Sequence, residues 1–114
     1  MTDANTPMFV TVADLLAHQQ TPTKGTLSQT LHHDDVSKIV LFSFAAGEEL
    51  SEHTASMPAI MHFLAGEAVV TLNGERTAAR AGTWVHMRPN TKHAIRAETP
   101  LVMLLTLFRG GAVR

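Results

Sequence analysis

The sequence predicts an all-β sandwich or barrel. Three observations carry that expectation. From Thr26 to Phe108, short runs rich in Val, Ile, Leu, Phe and Thr are separated at nearly every step by Gly or Pro. Asn73-Gly74 sits between two alternating runs, and this is the strongest two-residue hairpin signal, because a type I′ turn needs positive φ at both central positions. Only one stretch, Phe9 to Gln20, reads as a helix.

Residues 1–8 are polar and contain Pro7, which predicts a flexible tail. In the helix expected over 9–20, Thr11 caps with Asp14 three residues on, and Leu15 and Leu16 supply an apolar face. Thr21-Pro22-Thr23-Lys24-Gly25 ends it. Gly25 to His33 is a candidate N-terminal strand, and His32 and His33, beside Asp34 and Asp35, read as a solvated turn. Lys38–Ala45 is a strand closed by Gly47, and Ala59–Ala65 a second, closed by Gly66. Glu67–Leu72 and Glu75–Ala81 flank the Asn-Gly turn, and Gly82 follows. Thr83–Met87 precedes a turn at Pro89-Asn90. Lys92–Ala97 and Leu101–Phe108 come last, before Gly110-Gly111. That makes seven or eight strands with no repeat and no dividing linker, so residues 1–114 form a single domain.

A chain of 114 residues and 12.4 kDa buries roughly 65% of its extended surface on folding, enough for one core. A hydrophobic fraction of 45% with 17% charged residues excludes general disorder. Nine Lys and Arg balance ten Asp and Glu, with no block of like charge. The basic stripe of a nucleic-acid or anionic-membrane binder is therefore missing. There is no cysteine, which excludes disulfides, thiolate nucleophiles and thiolate metal sites and suits a reducing compartment. The longest apolar stretches, such as 59–65 and 100–108, are too short to span a bilayer. The first residues lack a basic start and an apolar signal region. A cytoplasmic protein with no membrane partner is expected.

Histidine is the conspicuous residue, seven in all. Without cysteine, a transition metal would need imidazole and carboxylate ligands. His53, His62, His86 and His93 all fall in the strand-rich part.

Two spacings around these histidines are informative. Gly47, five residues, His53, one residue, Ala55, three residues, Ala59, six residues, Gly66 make the first. Gly82, five residues, Arg88, one residue, Asn90, two residues, His93 make the second, and fifteen residues separate Gly66 from Gly82. This frame resembles the two motifs of the cupin superfamily, in particular the small single-domain RmlC-like cupins of the type-2 kind. The resemblance covers residues 36–108. It implies a jelly-roll barrel, also described as a double-stranded β-helix, preceded here by the short N-terminal helix. It further implies a metal site of two histidines and a glutamate from the first motif with one histidine from the second. His53 and His93 stand at two of those four places. Ala55 replaces the second histidine and Ala59 the glutamate. Thr83 stands where aspartate is usual and Arg88 where proline is usual, with Pro89 one place later.

Two imidazoles hold zinc or non-haem iron weakly, because such sites normally keep three protein ligands. His86 and His62 are the candidates for a third. If positions 53, 55 and 59 point inward, strand alternation sends Met61 and Phe63 inward and His62 outward; a bulge reverses that. The direction of His86 is undetermined across the Arg88-Pro89-Asn90 turn. Met61, Phe63 and Met87 are candidate pocket lining, with core filling as the plainer use. Trp84 is a candidate stacking platform or else a core or interface anchor. Arg88 is a candidate anion anchor or else a surface ion pair. Glu48, Glu49 and Glu52 precede His53 as further bases or ligands, or as solvated loop residues.

Three functions follow. The alanines favour a pocket that binds a small organic ligand, with a degenerate metal site and no turnover. The alternative is a metal-dependent enzyme of the dioxygenase or isomerase kind, in which His53, His93 and an unconventional third ligand hold zinc, iron, nickel or manganese. A metal-free acid/base enzyme using His53 or His93 is the third. Open strand edges and the likeness to small cupins predict a homodimer, with Gly25–His33 as a strand lent to the partner. The first 35 residues are too short and uncharged for a DNA-binding domain.

Overall fold

A computed structural model describes residues 8–109. It contains nine strands in two antiparallel sheets, the jelly-roll arrangement the sequence predicts. These are β1 (Thr26–His33), β2 (Ser37–Phe44), β3 (Glu49–His53), β4 (Ala59–Ala65), β5 (Glu67–Leu72), β6 (Glu75–Arg80), β7 (Trp84–Met87), β8 (His93–Ala97) and β9 (Leu101–Phe108). One sheet runs β1-β2-β9-β4-β7 and the other β3-β8-β5-β6.

The sheets pack face to face through alternate residues. Ala59, Met61 and Phe63 of β4 are buried, as are Ala68 and Val70 of β5 and His93, Ile95 and Ala97 of β8. Phe44, Met87, Leu101 and Met103 complete a continuous core, with Phe42, Leu50, Leu72 and Leu105 packed against it. The space between the sheets is thus filled with aromatic and thioether side chains at close packing. Asn73 at φ 49° and Gly74 at φ 85° make the predicted tight turn between β5 and β6. The side chain of Asn73 also accepts a 2.9 Å bond from Lys92 N–H, tying that hairpin to the start of β8.

Three expectations need correction. The helix over 9–20 shrinks to a single 3-10 turn, Leu15–His18, with no buried residue. Val10, Thr11 and Val12 are β-branched and favour extended backbone, and a segment this short cannot nucleate an α-helix by itself. Asp14, not Thr11, caps the turn, accepting 3.1 Å from Leu16 N–H. His32 and His33 belong to β1, and the turn begins at Asp34. The Asp34 carboxylate accepts from Val36 and Ser37 N–H and lies 2.7 Å from His32 Nε2. His32 first, then those two amides, hold its carboxyl far below the usual range. Finally, Glu49–His53 forms a strand the sequence pattern did not mark, because Leu50 is its only apolar residue. The tail expected over 1–8 lies outside the described residues except for Met8, which is exposed.

Candidate functional site

His53 ends β3 and His93 begins β8, and the two are direct partners across the strand pair. Their ring centroids are 4.1 Å apart with planes inclined at 57°. Leu50 faces the core opposite Ile95. In a regular strand a residue three places on would face away. The register shifts between Leu50 and His53, so a β-bulge turns His53 back toward the interior side, beside His93.

Each imidazole is pinned in the same way. His53 Nδ1 lies 2.8 Å from the carbonyl oxygen of Ser51, and His93 Nδ1 lies 2.9 Å from that of Thr91. A carbonyl only accepts, so Nδ1–H is the donor in both rings, and in the neutral rings both Nε2 atoms keep a bare lone pair. His93 is 7% exposed, whereas His53 is exposed. Burial holds His93 below its ordinary pKa and the neighbouring His53 adds to the depression, while the bond to Thr91 opposes it. The pair sits at the barrel end formed by the loops 54–58 and 88–92, which are joined by a 2.7 Å bond from Asn90 N–H to the Ala55 carbonyl.

The other candidates lie elsewhere. Met61, Phe63 and Met87 point inward but are 1%, 0% and 4% exposed within the core; they are packing, not the lining of an open centre. Trp84 is 58% exposed on the outer face of β7. Its alternation with inward Val85 and Met87 sends it outward. Arg88 is exposed in the turn after β7. His62 and His86 share the outer face with Trp84, since Ile60 pairs with His86 and His62 with Trp84. Neither can reach the His53–His93 pair through the sheet. Glu49 and Glu52 line a cavity of about 270 Å³ on the outer face of the four-stranded sheet, with Arg76 and Arg96; the bulge that turns His53 inward leaves Glu52 outside. Glu49 and Arg96 stand 3.6 Å apart there. Among the described residues no three His, Asp or Glu side chains converge to hold a metal ion. Two imidazoles without a third donor do not fit the three-ligand site of a catalytic zinc or iron.

The surface cavities of about 270, 90, 340 and 210 Å³ that described residues line do not include His53 or His93. The bulge at 51–53 is the feature that sequence reading missed. Its only signal is the surplus of one residue between Leu50 and His53 when both must face inward.

With the two histidines facing each other across β3 and β8, the sequence frame and the fold agree. Residues 40–107 match the family profile of the cupin domain. The chain is a cupin. A conserved protein of unknown function from Streptococcus pyogenes is similar in structure, with a TM-score of 0.81 and 27% identity over 98% of each chain. A cupin superfamily protein from Desulfitobacterium hafniense matches at a TM-score of 0.79 and 27% identity, covering 84% of this chain and 88% of its own. An RmlC-like cupin from Desulfovibrio desulfuricans matches at 0.78 and 25% identity, covering 88% and 97%. No curated protein matches the sequence. Like other proteins of its fold, this cupin is built of strands, and no described helix is long and apolar enough to cross a membrane.

Proposed function

We propose that this cupin binds a small organic ligand at the mouth of its barrel, over His53 and His93, through a degenerate metal site. The observation that carries the reading is the pair of Nε2 atoms left bare by the Nδ1 bonds to Ser51 and Thr91. Two adjacent acceptors suit a ligand that presents hydroxyl, acid or amide protons. Phe44, Phe63, Met61 and Met103 fill the space below, so the ligand rests at the open end and not in the barrel centre. Ala55 and Ala59 contribute no charge there. The absence of cysteine suits work in a reducing cytoplasm.

A second reading has its own support. Imidazoles that ligate metals are held by just such bonds from the far ring nitrogen. A metal-dependent enzyme would need its third donor from the ligand itself or from residues beyond those described.

Native mass spectrometry and elemental analysis of untagged protein separate the two. The expected result is a retained small organic molecule that is lost in His53→Ala and His93→Ala. Near-stoichiometric zinc, iron, nickel or manganese, lost in the same variants, would overturn the proposal.

A further inference from the structure

We infer that the outer face of the four-stranded sheet carries a second ligand site, shaped for a small dipolar molecule of the ω-amino acid class. Such a molecule has a carboxylate at one end and an ammonium at the other. The site stands apart from the one proposed over His53 and His93, since the sheet itself separates the two.

Strand alternation builds its floor. Ala68 and Val70 of β5 are buried, as are His93, Ile95 and Ala97 of β8, so Val69, Thr71, Ala94 and Arg96 face outward. Register then sets one row across the sheet. Arg76 of β6 pairs with Thr71, and Thr71 pairs with Ala94. On β3 the shift between Leu50 and His53 leaves Ser51 and Glu52 beside Ala94. These residues all line the cavity of about 270 Å³. Three strand spacings set the Arg76 and Glu52 backbones roughly 14 Å apart.

The charges along this row are sorted by bank. Arg96 is already engaged, 3.6 Å from Glu49 and 3.7 Å from Glu98. Among the described residues Arg76 and Glu52 make no ion pair. They do not neutralise each other, because roughly 14 Å exceeds the screening length of about 8 Å in physiological salt. What remains is an open guanidinium on β6 and an open carboxylate on β3, with Thr71 and Ala94 between them.

That pattern selects the ligand. A guanidinium fork holds a carboxylate through two parallel bonds, and the Thr71 hydroxyl on the neighbouring strand adds a donor. Glu52 accepts from an ammonium at the far end. Val69 and Ala94 offer methyl groups to an aliphatic chain joining the two. A plain anion would meet the Glu52 carboxylate, and a plain cation the Arg76 guanidinium; a molecule carrying both charges meets neither obstacle. The volume lies just below the roughly 300–1,000 Å³ of ordinary small-molecule sites, so the occupant is small.

Titration of the isotope-labelled chain with ε-aminocaproate, followed by NMR, tests this. Saturable shifts are expected at the Thr71 and Ala94 amides and at Arg76 Nε–H, while the imidazole signals of His53 and His93 stay in place. Caproate and hexylamine, each lacking one of the charges, should bind at least about tenfold more weakly. Arg76→Gln and Glu52→Gln, both at exposed positions, should each cause a similar loss with unchanged amide dispersion. Arg80→Gln, in the adjoining cavity of about 340 Å³, should leave the affinity as it is. Three results overturn the inference: no saturable shift at Thr71 and Ala94, caproate that binds as tightly as ε-aminocaproate, or undiminished binding in Arg76→Gln. Shifts confined to His53 and His93 overturn it as well, and assign the ligand to the barrel mouth.

Discussion

His53 and His93 face each other across the β3–β8 pair, and each gives its Nδ1 proton to the carbonyl two residues before it in its own strand or loop. The rings are therefore oriented by backbone alone, and neither needs a metal or a carboxylate to hold its tautomer. What the family site adds beyond these two imidazoles is absent at Ala55 and Ala59.

Restoring those donors should restore metal capture. The double variant Ala55→His, Ala59→Glu is expected to retain about one zinc after dialysis against a weak chelator, while the wild type loses it. The gain should exceed the roughly 10–100-fold that outer-shell changes command. Ala59 is 2% exposed, so a glutamate there should lower the melting temperature until zinc is added. Elemental analysis and thermal melts check both halves. Firm retention of zinc by the wild type would sink the idea.

Stability should fall in mild acid. Burial and the adjacent His53 hold His93 below its ordinary 6.5 in the folded state. The unfolded chain then takes up the proton first, so stability is full above about pH 6.5 and declines as pH drops toward the lowered folded value. Urea titrations of metal-free protein at a series of pH values should show this slope, and His93→Gln should flatten it. An unchanged slope in that variant would assign the effect to another histidine.

Gly66 permits a close crossing. Its φ is +88°, and a Cβ there would stand 2.1 Å from the Pro100 carbonyl oxygen and 2.9 Å from Leu101 Cα. Gly66→Ala should destabilise by at least about 1–3 kcal/mol, the scale of one strained backbone position, because backbone must move. The urea midpoint measures it. Gly47→Ala, with positive φ but open space, should cost less.

Asn73 links two parts of the fold. Asn73→Ala loses both a side chain that tolerates φ 49° and the bond to Lys92 N–H, one residue before His93. A loss of about 1–2 kcal/mol is expected, with faster amide exchange at Lys92 and weaker binding at the His pair. Asn73→Gly should recover the turn but not the exchange protection.

Much of the fold was legible because strand length and turn chemistry are local. Ala59–Ala65, Glu67–Leu72 and Leu101–Phe108 stand at their predicted bounds, Thr83–Met87 and Lys92–Ala97 differ by a single residue at one end, and Lys38–Ala45 is displaced by one residue to Ser37–Phe44. Leu15 and Leu16 suggest an amphipathic helix, but only Leu15–His18 closes a 3-10 turn, while Val10 and Val12 are irregular backbone and line a cavity with Ile39. The strand Glu49–His53 was not legible for the opposite reason: edge strands owe their form to a neighbour's hydrogen bonds, here those of β8, and leave little hydrophobic pattern behind.

The site divides along the same line. Sequence alone determined a glycine-punctuated β-roll, the Asn73-Gly74 turn, and the presence of His53 and His93 with alanines at 55 and 59, since each depends on residue identity and short spacing. Only the tertiary structure decided which way the side chains face. The bulge before His53 brings it beside His93, the pleat sends Trp84, His62 and His86 to the outside, and Met61, Phe63 and Met87 close the centre. Facing is a property of register between strands distant in the chain, and one extra residue in a strand reverses it.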